Sequence, residues 1–286
     1  MSRLPIPPEN DELEEIFVVC IGNCREAKKT RLEPCLPLLK TDAENYKRLI
    51  PDHIDQFKSS PLPQDVSAND LVSIYKQKFV PKDEEGRKYY DAIMKQAKRG
   101  VCPICGVRTA KTLEHYLPKK QMPTLAVTPI NLIPSCRDCN MDKNDDMVLR
   151  PEETPAHIYL DEIDDKPWLF AVIDTDLAVS FEVRCPEDWK LGVQERVKRH
   201  LDHYNLHVLY SSHADMEIAN KKRSWRRIWE RGGEAELREH ITDLREGAEE
   251  EELNSWYSAL YRGIEERFHV LISFLEQNAR PNPSGL

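Results

Sequence analysis

The sequence predicts a predominantly helical α+β protein, and three patterns carry this prediction. Apolar residues recur at helical spacing on both sides of the middle of the chain, which indicates helices that bury one face. Two Cys-x-x-Cys pairs lie between these helical parts and enclose 30 residues, a spacing typical of a metal-stapled loop. Two apolar runs follow at 167–174 and 176–184, and they predict an antiparallel hairpin.

Length and composition limit the class of protein. A chain of 286 residues, of which 40% are hydrophobic, can form one large domain or two ordinary ones. No stretch approaches the ~18 apolar residues that a transmembrane helix needs, and the N-terminal residues lack the apolar segment of a signal peptide. Because thiols stay reduced in the cytoplasm, the cysteine usage fits the same compartment. We therefore expect a cytoplasmic protein without membrane association.

The N-terminal part is expected to be helical after a proline-rich arm at residues 1–10. Leu13, Ile16, Phe17 and Cys20 fall on one face of a helix, which predicts that this face is buried. The predicted helices of this part cover 11–24, 42–49, a segment beginning at Ser67, and 83–99, where Gly100 ends the last of them.

The C-terminal part is predicted to be helical after the hairpin. A long tract runs from Pro186 to about Arg231, with a break near Tyr204 or Ser211. The acidic run at 249–252 is expected to open the last helix, since negative charge suits a helix N-terminus.

Two features of this tract leave alternatives open. His200, His203 and His207 are spaced so that they could share a helix face as ligands, but partly exposed helix histidines are the more ordinary interpretation. Residues 221–231 interleave arginines with tryptophans such as Trp225, a composition that can bind phosphates and stack on bases. The same spacing also describes ordinary helix packing, and both interpretations stand.

These patterns divide the chain into three predicted parts: an N-terminal helical arm at 1–66, a domain around the cysteine pairs at 67–150, and a mainly helical C-terminal domain at 151–286. The whole chain carries a net charge of −9, but residues 97–150 carry +4 and residues 151–286 carry −11. Phosphate contacts dominate nucleic-acid affinity. The segment at 97–150 is therefore suited to a polyanion, and the acidic C-terminal part is suited to a protein partner.

The two Cys-x-x-Cys pairs predict a structural zinc site. They supply four thiolates, the ligand set of a closed tetrahedral zinc. The four ligands are Cys102, Cys105, Cys136 and Cys139. In contrast, Cys20, Cys24 and Cys35 have no fourth ligand at regular spacing, so we expect them to be buried or free thiols.

Polar residues in and after the cysteine loop complete an ordered set. Glu114 and His115 follow the first pair, Asn131 precedes the second pair, and Asn140 comes directly after the last cysteine. Together with the cysteines, this order resembles the HNH endonuclease family, in the zinc-stapled form of its ββα-metal fold. Glu114 stands where that family most often has aspartate, and Asn140 stands where it has its second histidine.

The resemblance implies a role for each of these residues. Glu114 and Asn140 would bind a catalytic Mg²⁺ or Mn²⁺, and His115, on the opposite face of a strand from Glu114, would be the general base. Asn131 would brace the loop that carries His115 and would not touch the substrate. Lys143, one turn along the helix that Asn140 starts, would reach a phosphate. The implied fold is a central ββα-metal core between helical flanks, followed by a short β-hairpin.

The implied function is metal-dependent endonucleolytic cleavage of DNA. Proteins of this build often belong to bacterial restriction or anti-phage systems and act beside an ATPase. A partner such as an ATPase or a sensor subunit is therefore expected to dock on the C-terminal domain. Two other classes remain open. One is a non-catalytic zinc module in a nucleic-acid-associated assembly, and the other is a nuclease for RNA, because the motif addresses phosphates rather than sugars.

Overall fold

The computed structural model describes residues 3–7, 10–142 and 150–277. Within these ranges the protein is mostly helical with two small antiparallel sheets, which confirms the predicted class. The helices are α1 (Asn10–Gly22), α2 (Glu26–Leu32), α3 (Leu36–Leu49), α4 (Ala68–Ile74), α5 (Arg87–Met94), α6 (Arg137–Asp142), α7 (Leu191–His203), α8 (Leu206–Glu251), α9 (Trp256–Glu266) and α10 (Phe268–Gln277). The strands are β1 (Thr112–His115), β2 (Leu132–Ser135), β3 (Leu169–Ile173) and β4 (Val179–Val183). No helix in the described ranges has the length and apolar character needed to cross a membrane.

The chain folds into two compact units. The first contains Arg3–Glu162 and Lys190–Tyr204, and the second contains Ile163–Trp189 and the chain from Asn205 onward. This division differs from the three parts expected from the sequence. The boundary expected at residue 66 falls inside the first unit, because helices on both sides of it fill one core. The boundary expected at residue 150 precedes the observed division.

One hydrophobic core fills the first unit. Helix α1 turns Leu13, Ile16, Phe17 and Cys20 into it, each at most 1% exposed, as the helical spacing predicts. The same core includes Leu132 of β2, so the N-terminal helices and the first sheet are parts of one folded body. Burial of these side chains supplies the main stabilising free energy of the unit.

Local chemistry sets several helix ends in the first unit. Ser67 caps α4: its hydroxyl accepts from the Asp70 N–H at 3.2 Å, and the Asp70 carboxylate accepts from the Ser67 N–H at 3.0 Å. Helix α5 is shorter than the helix predicted at 83–99. It ends at Met94, and further along Arg99 and Gly100 adopt left-handed conformations, with φ of 53° and 71°, that redirect the chain toward the first cysteine pair.

Two breaks shape the long C-terminal helical tract. The first lies where the sequence predicts it, after Tyr204, since Asn205 adopts a left-handed conformation with φ of 48°. The second is at Gly233, whose φ of 71° interrupts α8 and separates two helical arms. Positive φ values are adopted most readily by glycine and, among the other residues, by a few types that include asparagine.

The acidic run at 249–252 ends a helix rather than opening one, so that prediction is wrong. Helix α8 continues to Glu251, and the next helix begins only after Ser255, whose hydroxyl accepts from the Ser258 N–H at 3.0 Å. Negative charge at a helix C-terminus is unfavourable by itself. Here Arg245 and Arg262 each approach a Glu249 oxygen at 2.7 Å and offset that cost.

Close packing organises the second unit. Trp225 is fully buried and contacts Tyr261 edge to face, with ring centroids 6.4 Å apart, so the structure supports packing rather than base stacking for this residue. A Cβ at Gly263 would lie 2.6 Å from the Ala171 carbonyl oxygen, which shows how closely α9 approaches β3.

A buried asparagine ties the segments of this unit together. The Asn254 carbonyl oxygen accepts from the Trp168 N–H at 2.8 Å, and its amide donates to the Lys166 and Ile163 carbonyls at 2.9 and 3.3 Å. Asn254 is only 3% exposed, so these bonds satisfy polar groups that water does not reach.

Candidate active site and metal centre

Each cysteine pair lies in a tight turn whose backbone amides point at sulfur. In the first turn the Arg108 N–H donates to Cys105 Sγ at 3.5 Å, and Gly106 adopts the required left-handed conformation with φ of 63°. In the second turn the Cys139 N–H donates to Cys136 Sγ at 3.4 Å. Amides aimed at sulfur favour the thiolate form, which is the form that binds metals.

The four cysteine sulfurs converge on one point. The Sγ atoms of Cys102, Cys105, Cys136 and Cys139 lie within 4.8 Å of one another, and all four residues are buried. Tetrahedral zinc with ~2.3 Å bonds places its sulfurs ~3.8 Å apart, so the cluster has the size that such an ion needs. The structure thus brings together the predicted ligands in a group that could hold a metal such as zinc.

The crowded sulfurs also show why a cation suits this cluster. Hydrogen bonds from Cys102 and Cys136 lower the pKa of Cys105 far below its usual range. The hydrogen bond to Cys105 raises the pKa of Cys102 far above its usual range. One thiolate is therefore stabilised by protonated neighbours, whereas four thiolates together require a positive ion between them.

Strand β1 presents the two polar residues of the predicted motif on opposite faces. It pairs with β2 in the register Thr112↔Ser135 to His115↔Leu132. Along β1 the side chains of Leu113 and His115 are buried, whereas Thr112 and Glu114 are half-buried. The alternation follows from the two-residue period of a strand.

The His115 ring is held on the buried face. Its Nε2 lies 2.9 Å from the Ala126 carbonyl oxygen, which accepts only, so Nε2 carries the hydrogen and Nδ1 holds the lone pair of the neutral ring. The ring meets Tyr75 edge to face with centroids 4.4 Å apart. The Nζ of Lys119 lies 3.4 Å from Nδ1. The ring is thus oriented with its acceptor nitrogen beside a cationic group.

Asn131 holds the two ends of the segment between the strands. Its Oδ1 accepts from the Leu117 N–H at 2.7 Å, and its Nδ2 donates to the Leu117 and Leu125 carbonyls at 3.1 and 3.3 Å. Asn131 is fully buried, so each of these bonds replaces one that water cannot supply. Leu125 precedes Ala126, so the bonds also restrain the carbonyl that orients His115.

A second restraint on this segment comes from α3, and the sequence did not indicate it. The fully buried Asp42 carboxylate accepts from the Ser60 N–H at 2.9 Å, from the Ser60 hydroxyl at 2.6 Å and from the Ser59 hydroxyl at 3.2 Å. It also accepts from the Thr124 hydroxyl, two residues before Ala126. A lone aspartate in a predicted amphipathic helix gives no sequence signal of such a role.

The half-buried face of β1 meets α6. The Asn140 Nδ2 donates to Thr112 Oγ1 at 3.0 Å, and Thr112 shares its face with Glu114 two residues along the strand. The sequence predicts that Asn140 starts α6, and this prediction is wrong. The helix begins at Arg137, because the Cys136 carbonyl accepts from the Asn140 N–H at 3.1 Å and so opens the helical hydrogen bonding. Lys143, the predicted phosphate contact, lies outside the described residues.

His200 is a further buried residue beside the cysteine cluster, in a role that the sequence analysis did not predict. The prediction of partly exposed histidines is wrong for it: it is 1% exposed, and its Nε2–H donates to the Ile104 carbonyl, within the first cysteine turn, at 2.8 Å. Burial lowers the pKa of His200 to about 3, so the ring is neutral. His200, His203 and His207 do not form a ligand group. Among the described residues, the four cysteines are the one converging set of potential metal ligands.

The chain is similar to Protein ea31 of Escherichia phage lambda, with 35% identity over 159 residues, which are 54% of this chain and 49% of that protein. The chain therefore spans about half the length of the relative it matches. No protein-family model matches the chain. No solved structure matches it either.

Proposed function

We propose that this protein is a divalent-metal-dependent endonuclease of the HNH type that hydrolyses phosphodiester bonds in DNA. The observation that carries the proposal is the His115 ring, whose Nε2–H is engaged by a backbone carbonyl so that Nδ1 is the acceptor. Two strands and a helix follow in the order ββα, and the sulfurs of the four cysteines before the first strand and at the start of the helix converge on one point. This arrangement supports the proposal.

In the proposed mechanism His115 is the general base. Its Nδ1 takes a proton from a water molecule, the water oxygen bonds to phosphorus, and the bond from phosphorus to the leaving oxygen breaks. The Glu114 carboxylate and the side-chain oxygen Oδ1 of Asn140 are the groups that would hold Mg²⁺ or Mn²⁺. Oxygen donors on one face suit these ions. The cation would stabilise charge on the phosphate and on the leaving oxygen.

Asn131 and Lys143 complete the proposed set. Asn131 acts as a brace, which its bonds to Leu117 and Leu125 support. Lys143 is proposed to contact a phosphate as a point charge, because it follows α6 by a short interval in the sequence.

We also propose that the enzyme is the effector of a bacterial anti-phage or restriction system. Residues 151–286 carry a net charge of −11, which disfavours contact between this part and DNA. An ATPase or sensor subunit that docks there would deliver the substrate that the chain binds weakly by itself.

One observation favours a second candidate, a non-catalytic zinc module. His115 is only 1% exposed, whereas a general base has to meet water. In such a module the hairpin would be a packing unit, and no divalent cation would support cleavage.

A plasmid-cleavage assay distinguishes these functions. The full chain is incubated with supercoiled plasmid, and in parallel with RNA, in Mg²⁺ or Mn²⁺, alone and with the product of the neighbouring gene. We expect His115→Ala to lower the cleavage rate ~10²–10⁴-fold while the fold and the zinc content stay unchanged.

The matched control is His207→Ala. Its ring also lies 2.9 Å from a backbone carbonyl oxygen, that of Phe181, but it belongs to the second unit. This variant should cleave like the wild type. Absence of cleavage under every condition, or equal cleavage by the His115→Ala variant, contradicts the nuclease proposal. Faster cleavage of the RNA substrate would show that the enzyme is a nuclease for RNA rather than for DNA.

A further inference from the structure

The nitrogen proposed to act as the base is covered by a lysine side chain. The Nε2 edge of His115 is engaged by the Ala126 carbonyl, and the ring packs on Tyr75. The Lys119 ammonium lies within hydrogen-bonding range of Nδ1, 3.4 Å away. A group at the reactive nitrogen is thus the end of a flexible side chain.

The contact between Lys119 and His115 is weak enough to exchange. A separation of 3.4 Å is at the long end of hydrogen-bond distances, and the acceptor is a neutral ring. Lys119 is half-buried, and its ammonium also lies 5.5 Å from the centroid of the Tyr75 ring, within the range of a cation–π interaction. The ammonium is therefore held in this position by two weak contacts, to the His115 ring and to the Tyr75 ring.

A phosphate would compete effectively for this ammonium. Hydrogen bonds between a charged donor and a charged acceptor are about twice as strong as those between neutral groups. Lysine offers phosphate a compact point charge on a flexible stem, so it can move without moving the backbone. The ammonium also occupies the position at Nδ1 where the proton of an attacking water would be.

We propose that Lys119 is a phosphate-operated cap on His115. In the free protein its ammonium covers Nδ1, and the scissile phosphate draws it away, which admits water to the base only when substrate is present. Lys119 is then a catalytic residue that binds the phosphate. This inference rests on the proposed nuclease function, and it accounts for the burial of His115.

Chemical labelling tests the cap without relying on cleavage. Diethyl pyrocarbonate acylates accessible neutral imidazoles, and mass spectrometry of the peptide that contains His115 gives the labelling rate. We expect Lys119→Met to raise this rate about tenfold, because a local cover is removed. Lys120→Met, which changes the adjacent exposed lysine, should leave it unchanged. A duplex oligonucleotide without added divalent cation should raise the rate in the wild type and not in Lys119→Met.

Kinetics of the full chain test the phosphate contact. Loss of a charge-assisted bond should lower kcat/KM about 10- to 100-fold in Lys119→Met, mainly through KM, and Lys119→Arg should restore most of it. A role limited to holding the ring would instead lower kcat at unchanged KM. Thermal melting and zinc content of each variant establish that it is folded.

The outcomes separate the two proposals. If the wild type cleaves, His115→Ala does not, and Lys119→Met matches the wild type in kinetics, the cap is refuted and the nuclease stands. Equal labelling of His115 in Lys119→Met and in the wild type also refutes the cap. If no condition supports cleavage, the nuclease proposal fails, while the labelling rates still decide whether Lys119 covers His115.

Discussion

The two hairpins of this protein have similar strands and very different connections. Strands β3 and β4 are joined across residues 174–178, where the Ala178 carbonyl accepts from the Asp174 N–H at 2.9 Å. Strands β1 and β2 are joined by residues 116–131, and buried side chains such as Asn131 and Asp42 hold that longer segment. A short turn fixes a hairpin by local chemistry, whereas a long one depends on support from elsewhere in the unit. That dependence is what allows the first hairpin to hold a buried histidine.

The largest expected difference between the hairpins concerns metal. Cys136→Ala removes one of four converging sulfurs, and structural zinc contributes folding free energy directly, with apparent binding free energies of ~10–16 kcal/mol in zinc-finger peptides. A four-cysteine site holds about one zinc per chain, and we expect the zinc content of this variant to fall to none in metal analysis. The melting transition of the first unit should also be lost.

The matched control is Cys185→Ala, two residues after the end of β4. Cys185 is not part of the converging group, so this variant should keep its zinc and its melting temperature. Retention of zinc by the Cys136→Ala variant would show that the first hairpin does not depend on a metal.

A smaller effect should follow from removing the buried asparagine of each unit. Asn131 makes three hydrogen bonds to backbone groups, and Asn254 makes four. Because each unsatisfied buried group costs ~1–3 kcal/mol, either change to alanine should lower the free energy of unfolding by about 3 kcal/mol in urea titrations. Only Asn131→Ala should also lower the cleavage rate, since it frees the segment that orients His115. Equal loss of cleavage in both variants would mean that the first hairpin has no special role.

The same contrast explains what the sequence could predict. Leu13, Ile16, Phe17 and Cys20 reveal a buried helix face, because burial follows a 3.6-residue period. The cysteine pairs reveal their convergence, because four thiolates at that spacing have few other uses. The second hairpin follows from two apolar runs and a turn. Each of these signals is local or belongs to a ligand set with fixed chemistry.

Other features of the candidate site depend on contacts between distant residues, and no pattern in the chain marks them. Asp42 reaches Thr124 across 82 positions, and His200 reaches Ile104 across 96. The orientation of His115 depends on the Ala126 carbonyl, and a backbone group carries no sequence signature. The sequence near the end of α8 also could not show where that helix ends, because Arg262, which lies beyond the helix, offsets the charge of Glu249.

The free energy of unfolding should decrease in acid because of His200, which belongs to the first unit. Burial lowers its pKa to about 3, whereas an unfolded histidine titrates near ~6.5. The unfolded state therefore binds the extra proton first, so the stabilising contribution is complete above ~6.5 and is lost as the pH falls toward 3. Between pH 7.5 and 5.5 the wild type should lose ~1.4 kcal/mol of unfolding free energy from this group. His200→Gln keeps a donor for the Ile104 carbonyl and should lack this loss. Parallel pH curves for the two proteins in urea titrations would contradict the assignment.

The smallest effect should come from the outermost restraint on the long connection. Thr124→Val removes the hydroxyl that donates to Asp42 but nearly preserves the side-chain volume, so it should cost ~0.5–1.5 kcal/mol of unfolding free energy. The matched change is Thr175→Val in the short turn. The exposed Thr175 hydroxyl bonds to the side chains of its neighbours Asp174 and Asp176, so we expect no measurable loss of unfolding free energy. If the connection is positioned by α3, Thr124→Val should also increase the labelling rate of His115 by diethyl pyrocarbonate, since a looser Ala126 carbonyl lets the ring move. An unchanged labelling rate with the expected loss of stability would limit Asp42 and Thr124 to a structural role and would leave Asn131 as the residue that positions the segment.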